Sequence, residues 1–277
     1  MSRTHSAAAS AAASFFLFAA VDATALFTFA VLARVAGFPW QQWIWLASVS
    51  IATVVTCFIL EPQGWQIGLT GPPRRALLEL LYGLALGTCV IGACDLALYA
   101  SGHVRHAFCG AFPWTELASV FLPAAFHEEL AFRGYVFQRF REWNRGVAFA
   151  FSALVFALMH FRNHGLTLLA LGNIALAGIL LALAYERFER LWFPIGIHLV
   201  WNVLSGPILG YPVSGFVARS TVFTTTALGN EWMTGGVFGI EGSVLITIAE
   251  IAAIAVLGYH PGRKDEGGRM KDEERRR

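Results

Sequence analysis

The sequence predicts an all-α protein, a polytopic membrane helix bundle of about eight transmembrane helices. Three observations predict it. Of the 277 residues, 56% are hydrophobic and only 14% charged, against about a quarter charged in soluble domains. The mean hydropathy is +0.58. Apolar runs near the ~20 residues that cross a bilayer core recur along the chain, and no sustained apolar/polar alternation marks the strands of a β-barrel. The net charge of +2 carries no basic excess, so the lipid bilayer is the expected partner and nucleic acid is not. Oligomeric state is not legible.

Spans are expected over 13–36, 41–60, 76–100, 115–138, 146–160, 166–186, 191–208 and 237–258. The first follows an alanine-rich start, MSRTHSAAAS. That start resembles a signal peptide, but its apolar pattern continues through VDATALFTFAVLA, so it reads as the lead-in to a span. The fifth and seventh are short and need an extension or a tilt. Residues 209–236 are the longest stretch between spans, rich in Gly, Pro and aromatics, and are expected to pack into the mouth of the bundle. The segment GRKDEGGRMKDEERRR, 262–277, reads as a disordered charged tail. The chain thus divides into 1–114 with about three helices, a core of 115–208, a loop and last helix over 209–261, and the tail 262–277.

Lys and Arg set the orientation. With the N-terminus in the cytoplasm, fifteen fall inside, among them Arg74, Arg75, Arg139, Arg141, Arg145, Arg187, Arg190 and seven in the tail. Four fall outside: Arg34, Arg105, Arg162 and Arg219. Both termini are therefore expected to be cytoplasmic. Lys264 and Lys271 are the only lysines among many arginines and alanines. That usage suggests a GC-rich bacterial genome, hence a bacterial inner membrane. Cys57, Cys89, Cys94 and Cys109 form no CxxC, and three lie in apolar runs, so they read as small buried hydrophobes.

An ionised side chain at the bilayer centre costs at least ~2.5–3.5 kcal/mol, so the charges within spans need a reason. Asp22, Glu79, Asp95, Glu116, Glu241 and Glu250 are scattered, and a structural role is the simpler reading for each. A second set is concentrated on three spans. FHEELAFRGY carries Glu128, Glu129 and Arg133, FALMH carries Phe156 and His160, and HLVWN carries His198 and Asn202. Glu129 and Arg133 are four residues apart and share a helix face, as do His198 and Asn202. Glu128 is turned about 100° from Glu129. With Arg133 paired to Glu129, Glu128 is free to act as a general base. A neutral imidazole orients water, and the Asn202 amide donates to an oxyanion. The same residue types bind divalent metal, so zinc is an open alternative. Phe156 reads as packing, and His127, His164 and Asn173 as structural or peripheral. Counted from the cytoplasmic span ends, His198 lies about 10 Å deep, Glu128 about 15 Å and His160 about 21 Å. One site therefore needs tilted or kinked helices.

These three motifs resemble those of the CPBP intramembrane proteases, which include the type II CAAX prenyl endopeptidase and the bacteriocin-processing and self-immunity proteins. The matching stretches are EELAFR (128–133), FALMH (156–160) and HLVWN (198–202), covering about 115–205. WMTGGVFGIEGS extends the likeness less securely. The resemblance implies an intramembrane endopeptidase acting on a membrane-associated or lipid-modified peptide or protein substrate. It implies that Glu128 activates water with His160, that His198 and Asn202 stabilise the oxyanion, and that Glu129 with Arg133 completes or braces the site. It implies either glutamate or metalloprotease chemistry and does not choose between them. Rival readings are a membrane carrier that uses Asp22, Asp95 and the Glu pair as a relay, and a non-catalytic immunity or scaffold protein that keeps the fold. There is no HExxH, as site-two zinc proteases require, and the pairs in LSGP and VSGF do not resemble a rhomboid serine.

Overall fold

The computed structural model describes residues 2–37, 39–61, 65 and 67–259, with side chains from residue 6 onward. The tail expected to be disordered lies outside the described residues. The chain is mostly helical, an integral membrane protein by its apolar helices. Four helices are long and apolar enough to cross a bilayer, Ser6–Ala36, Gln41–Leu60, Pro73–Ala100 and Leu168–Phe188, and two shorter apolar ones are Arg145–Met159 and Val244–Gly258.

Helices α1 (Ser2–Ala36) and α2 (Gln41–Leu60) pack side by side. Helix α3 (Pro73–Ala100) starts with proline in its first turn, where no N–H is needed. It leads into strand β1 (Val104–Phe108), and β1 pairs antiparallel with β2 (Phe223–Ala227), His106 opposite Thr225. This small two-stranded sheet joins an otherwise helical chain, in keeping with the all-α expectation. It caps the end of the bundle and lies in connecting segments too short and polar to register as spans.

The expected span 115–138 is broken into pieces. A single turn, α4 (Trp114–Glu116), runs through a π-helical turn, Leu117–Phe121, into α5 (Leu122–Arg133). Pro123 cannot donate to the preceding turn, and the wider π turn gives its ring room. Gly134 then ends α5. A Cβ there would stand 2.1 Å from the Leu130 carbonyl oxygen, so only glycine fits. Helix α6 (Tyr135–Trp143) leaves in a new direction as a short amphipathic piece.

Asn144 caps α7 (Arg145–Met159), accepting from the Val147 N–H, and Thr167 caps α8 (Leu168–Phe188), accepting from the Ala170 N–H. The expected seventh span is α9 (Trp192–Val203) plus a second π turn, Leu204–Ile208, which holds Pro207. The short α10 (Glu231–Thr234) and two 3-10 turns, Gly236–Phe238 and Ile240–Gly242, precede α11 (Val244–Gly258). Glu241 therefore lies in a turn ahead of the last helix rather than within a span.

Two close approaches fix the helices that carry the site. Gly83 and Gly87 of α3 face Gly196 of α9. A Cβ at Gly83 would meet the Phe193 oxygen at 2.3 Å, and one at Gly196 would meet the Leu80 oxygen at 2.4 Å. Small residues let the two backbones touch where lipid offers no hydrophobic drive. At Gly178, α8 packs against Ala153 of α7. Apolar clusters fill the rest: Tyr135, Phe137, Tyr185 and Ile195 at one end, and Ile91, Leu98, Trp201 and Ile240 towards the other.

The two ends differ in charge. Arg75 and Arg190 clasp the buried Glu79 at 2.8 and 2.7 Å, and Arg139, Arg141 and Arg145 pair with Glu61 and Glu142, Glu189, and Glu186. All these arginines lie in segments expected inside. The opposite end holds the sheet, where Asp95 accepts from Tyr211 at 2.7 Å and lies 3.1 Å from His106 Nε2. Burial and the bond to Asp95 raise the Tyr211 phenol above its ordinary pKa.

Candidate active site

The consecutive carboxylates at the end of α5 have different surroundings. Glu129 is fully buried. Its Oε1 accepts from Arg133 Nη1 at 3.1 Å and from His198 Nδ1 at 2.8 Å. Arg133, also fully buried, donates through Nη2 to the Gly178 carbonyl at 3.1 Å and lies 4.6 Å over the Phe156 ring. A lone charge is expensive here, but each ion has a fixed partner. Helix α8 comes close enough to lend its carbonyl because residue 178 is glycine.

Glu128 faces a cavity of about 980 Å³. Its Oε2 has no hydrogen-bond donor among the described residues and stands 3.7 Å from His198 Nε2. His198 thus joins the two glutamates, bonded to one and facing the other. Asn202, one helical turn on, lines the same cavity. His160 ends α7, and its ring folds back so that Nδ1 meets the Phe156 carbonyl at 2.7 Å. A carbonyl only accepts, so Nδ1 carries the proton and Nε2 is left to the cavity. His160 lies close enough to Glu128 for their charges to interact. The ring of Phe156 lies between, 4.9 Å from His160 and 6.1 Å from His198.

All six candidate residues therefore meet at one place: Glu128, His160, His198 and Asn202 at the cavity wall, Glu129 and Arg133 behind it. The depth mismatch expected from straight spans is absorbed by the break at Gly134 and the back-folded His160. Phe156 does more than pack, since it covers the guanidinium and spaces the two histidines.

Glu241, for which a structural role was the simpler reading, lines the cavity wall in such a role. Its Oε1 accepts from Trp201 Nε1 at 2.9 Å, and its Oε2 accepts from the Ser214 N–H and hydroxyl. It pins the 211–216 loop against α9 at the cavity, where Ser214 takes a positive φ of 48°. Asn173, read as structural, is so: it donates to the Glu241 and Ser243 carbonyls at 2.7 and 2.9 Å. His127 and His164, read as peripheral, line the cavity, and His127 donates to the Pro123 carbonyl. The relay does not form through Asp95, which is held at the sheet end.

The residues present do not assemble a metal centre. Among the described residues no three His, Cys, Asp or Glu side chains group as a metal ion requires. Glu129 and His198 Nδ1 are bonded to each other, and His160 Nδ1 to a carbonyl.

Two carboxylates, two histidines and an asparagine thus gather within a bundle of apolar helices. Residues 110–204 match the family model Rce1-like, the type II CAAX prenyl endopeptidase Rce1-like family. This is the family the three motifs resemble, and over these residues the chain is similar to it. The matched segment contains all six candidate residues. No curated protein and no solved structure matches significantly.

Proposed function

We propose that this protein is an intramembrane endopeptidase that cleaves a membrane-associated or lipid-modified peptide with a water activated by Glu128. The observation that carries the proposal is the unequal pair. Glu129 is held by Arg133 and His198, while Glu128 presents a carboxylate oxygen without a donor to a cavity shared with His160, His198 and Asn202.

Water held between Glu128 and His160 Nε2 gives one proton to Glu128 as its oxygen attacks the scissile carbonyl carbon. The oxyanion accepts from the Asn202 amide and from His198 Nε2–H. With His198 carrying both ring protons, Glu128 and Glu129 face Arg133 and His198, and the buried set is neutral, as a dry site requires. Glu128 then passes its proton to the leaving nitrogen as the C–N bond breaks, and a carboxylic acid and an amine remain, which settle as carboxylate and ammonium once the acid proton moves to the amine.

Eight crossings with both termini cytoplasmic, in a bacterial inner membrane, accord with the Arg-paired end of the bundle. The two shorter apolar helices, with α5 and α9, complete the count as tilted or broken spans. Nucleic acid has no place in this reading.

The test is cleavage of a peptide library by the purified, detergent-solubilised protein. Glu128→Gln and His160→Ala are expected to lower the rate by at least about 10²-fold while eluting and unfolding as wild type. Equal rates in all three would refute the assignment. A strong chelator added to wild type is expected to leave the rate unchanged.

A further inference from the structure

The cavity wall carries four carboxylates. Asp22 lies on α1 and Glu128 on α5, Glu241 precedes α11, and Glu250 lies within it; no Lys or Arg side chain lines the cavity among the described residues. The acids come from different elements and have different neighbours. Asp22 neighbours His127 beside Glu128, while Glu241 lies towards His160 and has Glu250 next to it.

Their bonding differs in a way that points to an absent ligand. Glu241 is satisfied by Trp201 and Ser214. Glu250 is only 1% exposed and lines the cavity, yet its Oε2 meets no donor. Asp22 Oδ1 meets none either. Buried polar atoms without partners are rare, and each asks what satisfies it. The buried cation nearest the site is committed elsewhere, Arg133 being held by Glu129 and the Gly178 carbonyl.

We propose that the cavity selects peptides bearing a Lys or Arg side chain or a free amine close to the scissile bond, with Glu250 and Asp22 taking the cationic donors. The inference rests on the protease reading above and extends it to substrate class. A substrate ammonium or guanidinium supplies the missing donors, and the low dielectric strengthens each charge-assisted bond.

Two measurements test this on the full-length protein in detergent. The first is binding by fluorescence anisotropy to the Glu128→Gln variant, which reads charge preference whether or not peptides are cleaved. The probes are labelled apolar peptides of one length carrying Arg, Gln or Glu at a scanned position. Arg peptides are expected to bind about tenfold or more tighter than Gln peptides, the scale of one charge-assisted hydrogen bond. Glu peptides should bind weakest. The Asp22→Asn and Glu250→Gln variants, each made on that background, should shrink the Arg-to-Gln ratio towards one. Because the two lie on different helices, one misfolded variant leaves the other to decide.

The second measurement is the ratio of kcat/KM for the same peptides on the otherwise wild-type protein. Equal binding of Arg and Gln peptides, or a ratio untouched by both substitutions, overturns the charge preference, even when cleavage shows the protease reading to hold. Absence of cleavage with an intact Arg preference in binding refutes the protease reading and keeps the cationic site.

Discussion

Arg133 is the residue on which the site's order depends most. It holds Glu129 at 3.1 Å, the Gly178 carbonyl at 3.1 Å and the Phe156 ring at 4.6 Å. Removing one partner of a buried pair strands the other as an uncompensated charge, at about 3–5 kcal/mol. Arg133→Met is therefore expected to lower the thermal unfolding midpoint in detergent sharply, and Glu129→Gln to do so less. Glu128→Gln should leave it unchanged or higher, because Glu128 Oε2 has no donor to lose. A Glu128→Gln midpoint falling as far as that of Arg133→Met would contradict the division of labour between the two glutamates. The Glu129–Arg133 partnership was legible in the sequence, because a spacing of four residues on one helix fixes a shared face. The bond from His198 to Glu129 was not, since it joins residues 69 positions apart. The partners of Glu241 were hidden for the same reason. In the sequence it is one acid near an apolar run, and only the fold brings Trp201 and Ser214 to it.

At the scale of elements, the position of His198 depends on how closely α9 approaches α3. Gly83, Gly87 and Gly196 make that contact backbone to backbone, and a side chain on any of them would enter occupied space. Gly196→Leu is expected to push the helices apart and to move His198, two residues on, away from Glu129. Activity should fall at least about tenfold, the cost of an ångström-scale misplacement. A control at Gly92, where nothing lies within 4 Å, should be silent. Retained activity in Gly196→Leu would show that α9 is placed by something other than this contact. Helix positions were largely legible from apolar runs, and α2 has the predicted bounds. Where the reading failed, backbone chemistry had overruled hydropathy. FHEELAFRGYVF is apolar enough to pass as one span, but Gly134 divides it, and the start of α11 shifts because Gly239 and Gly242 favour turns. The sheet was invisible because β1 and β2 are five residues each and pair across more than a hundred intervening positions.

At the scale of the whole molecule, the arginine distribution and the fold make one geometric statement. Arg75, Arg139, Arg141, Arg145 and Arg190 gather at one end, paired to acids, and the sheet stands at the other. If that charge bias orients the protein as it does other membrane proteins, the sheet faces away from the cytoplasm. Cys109 follows β1 directly and is exposed, within 2.9 Å of the Thr224 hydroxyl. Cys57, Cys89 and Cys94 lie on α2 and α3, helices apolar enough to span. A membrane-impermeant maleimide applied to intact cells, with the outer membrane permeabilised where there is one, is therefore expected to label the wild-type protein. Cys109→Ser should abolish the signal, and inverted inner-membrane vesicles should label weakly. Labelling from the cytoplasmic side alone would invert the topology. It would place the Arg-paired end outside, and the 211–216 loop that Glu241 pins over the cavity would then face the cytoplasm, so substrates would be drawn from that side.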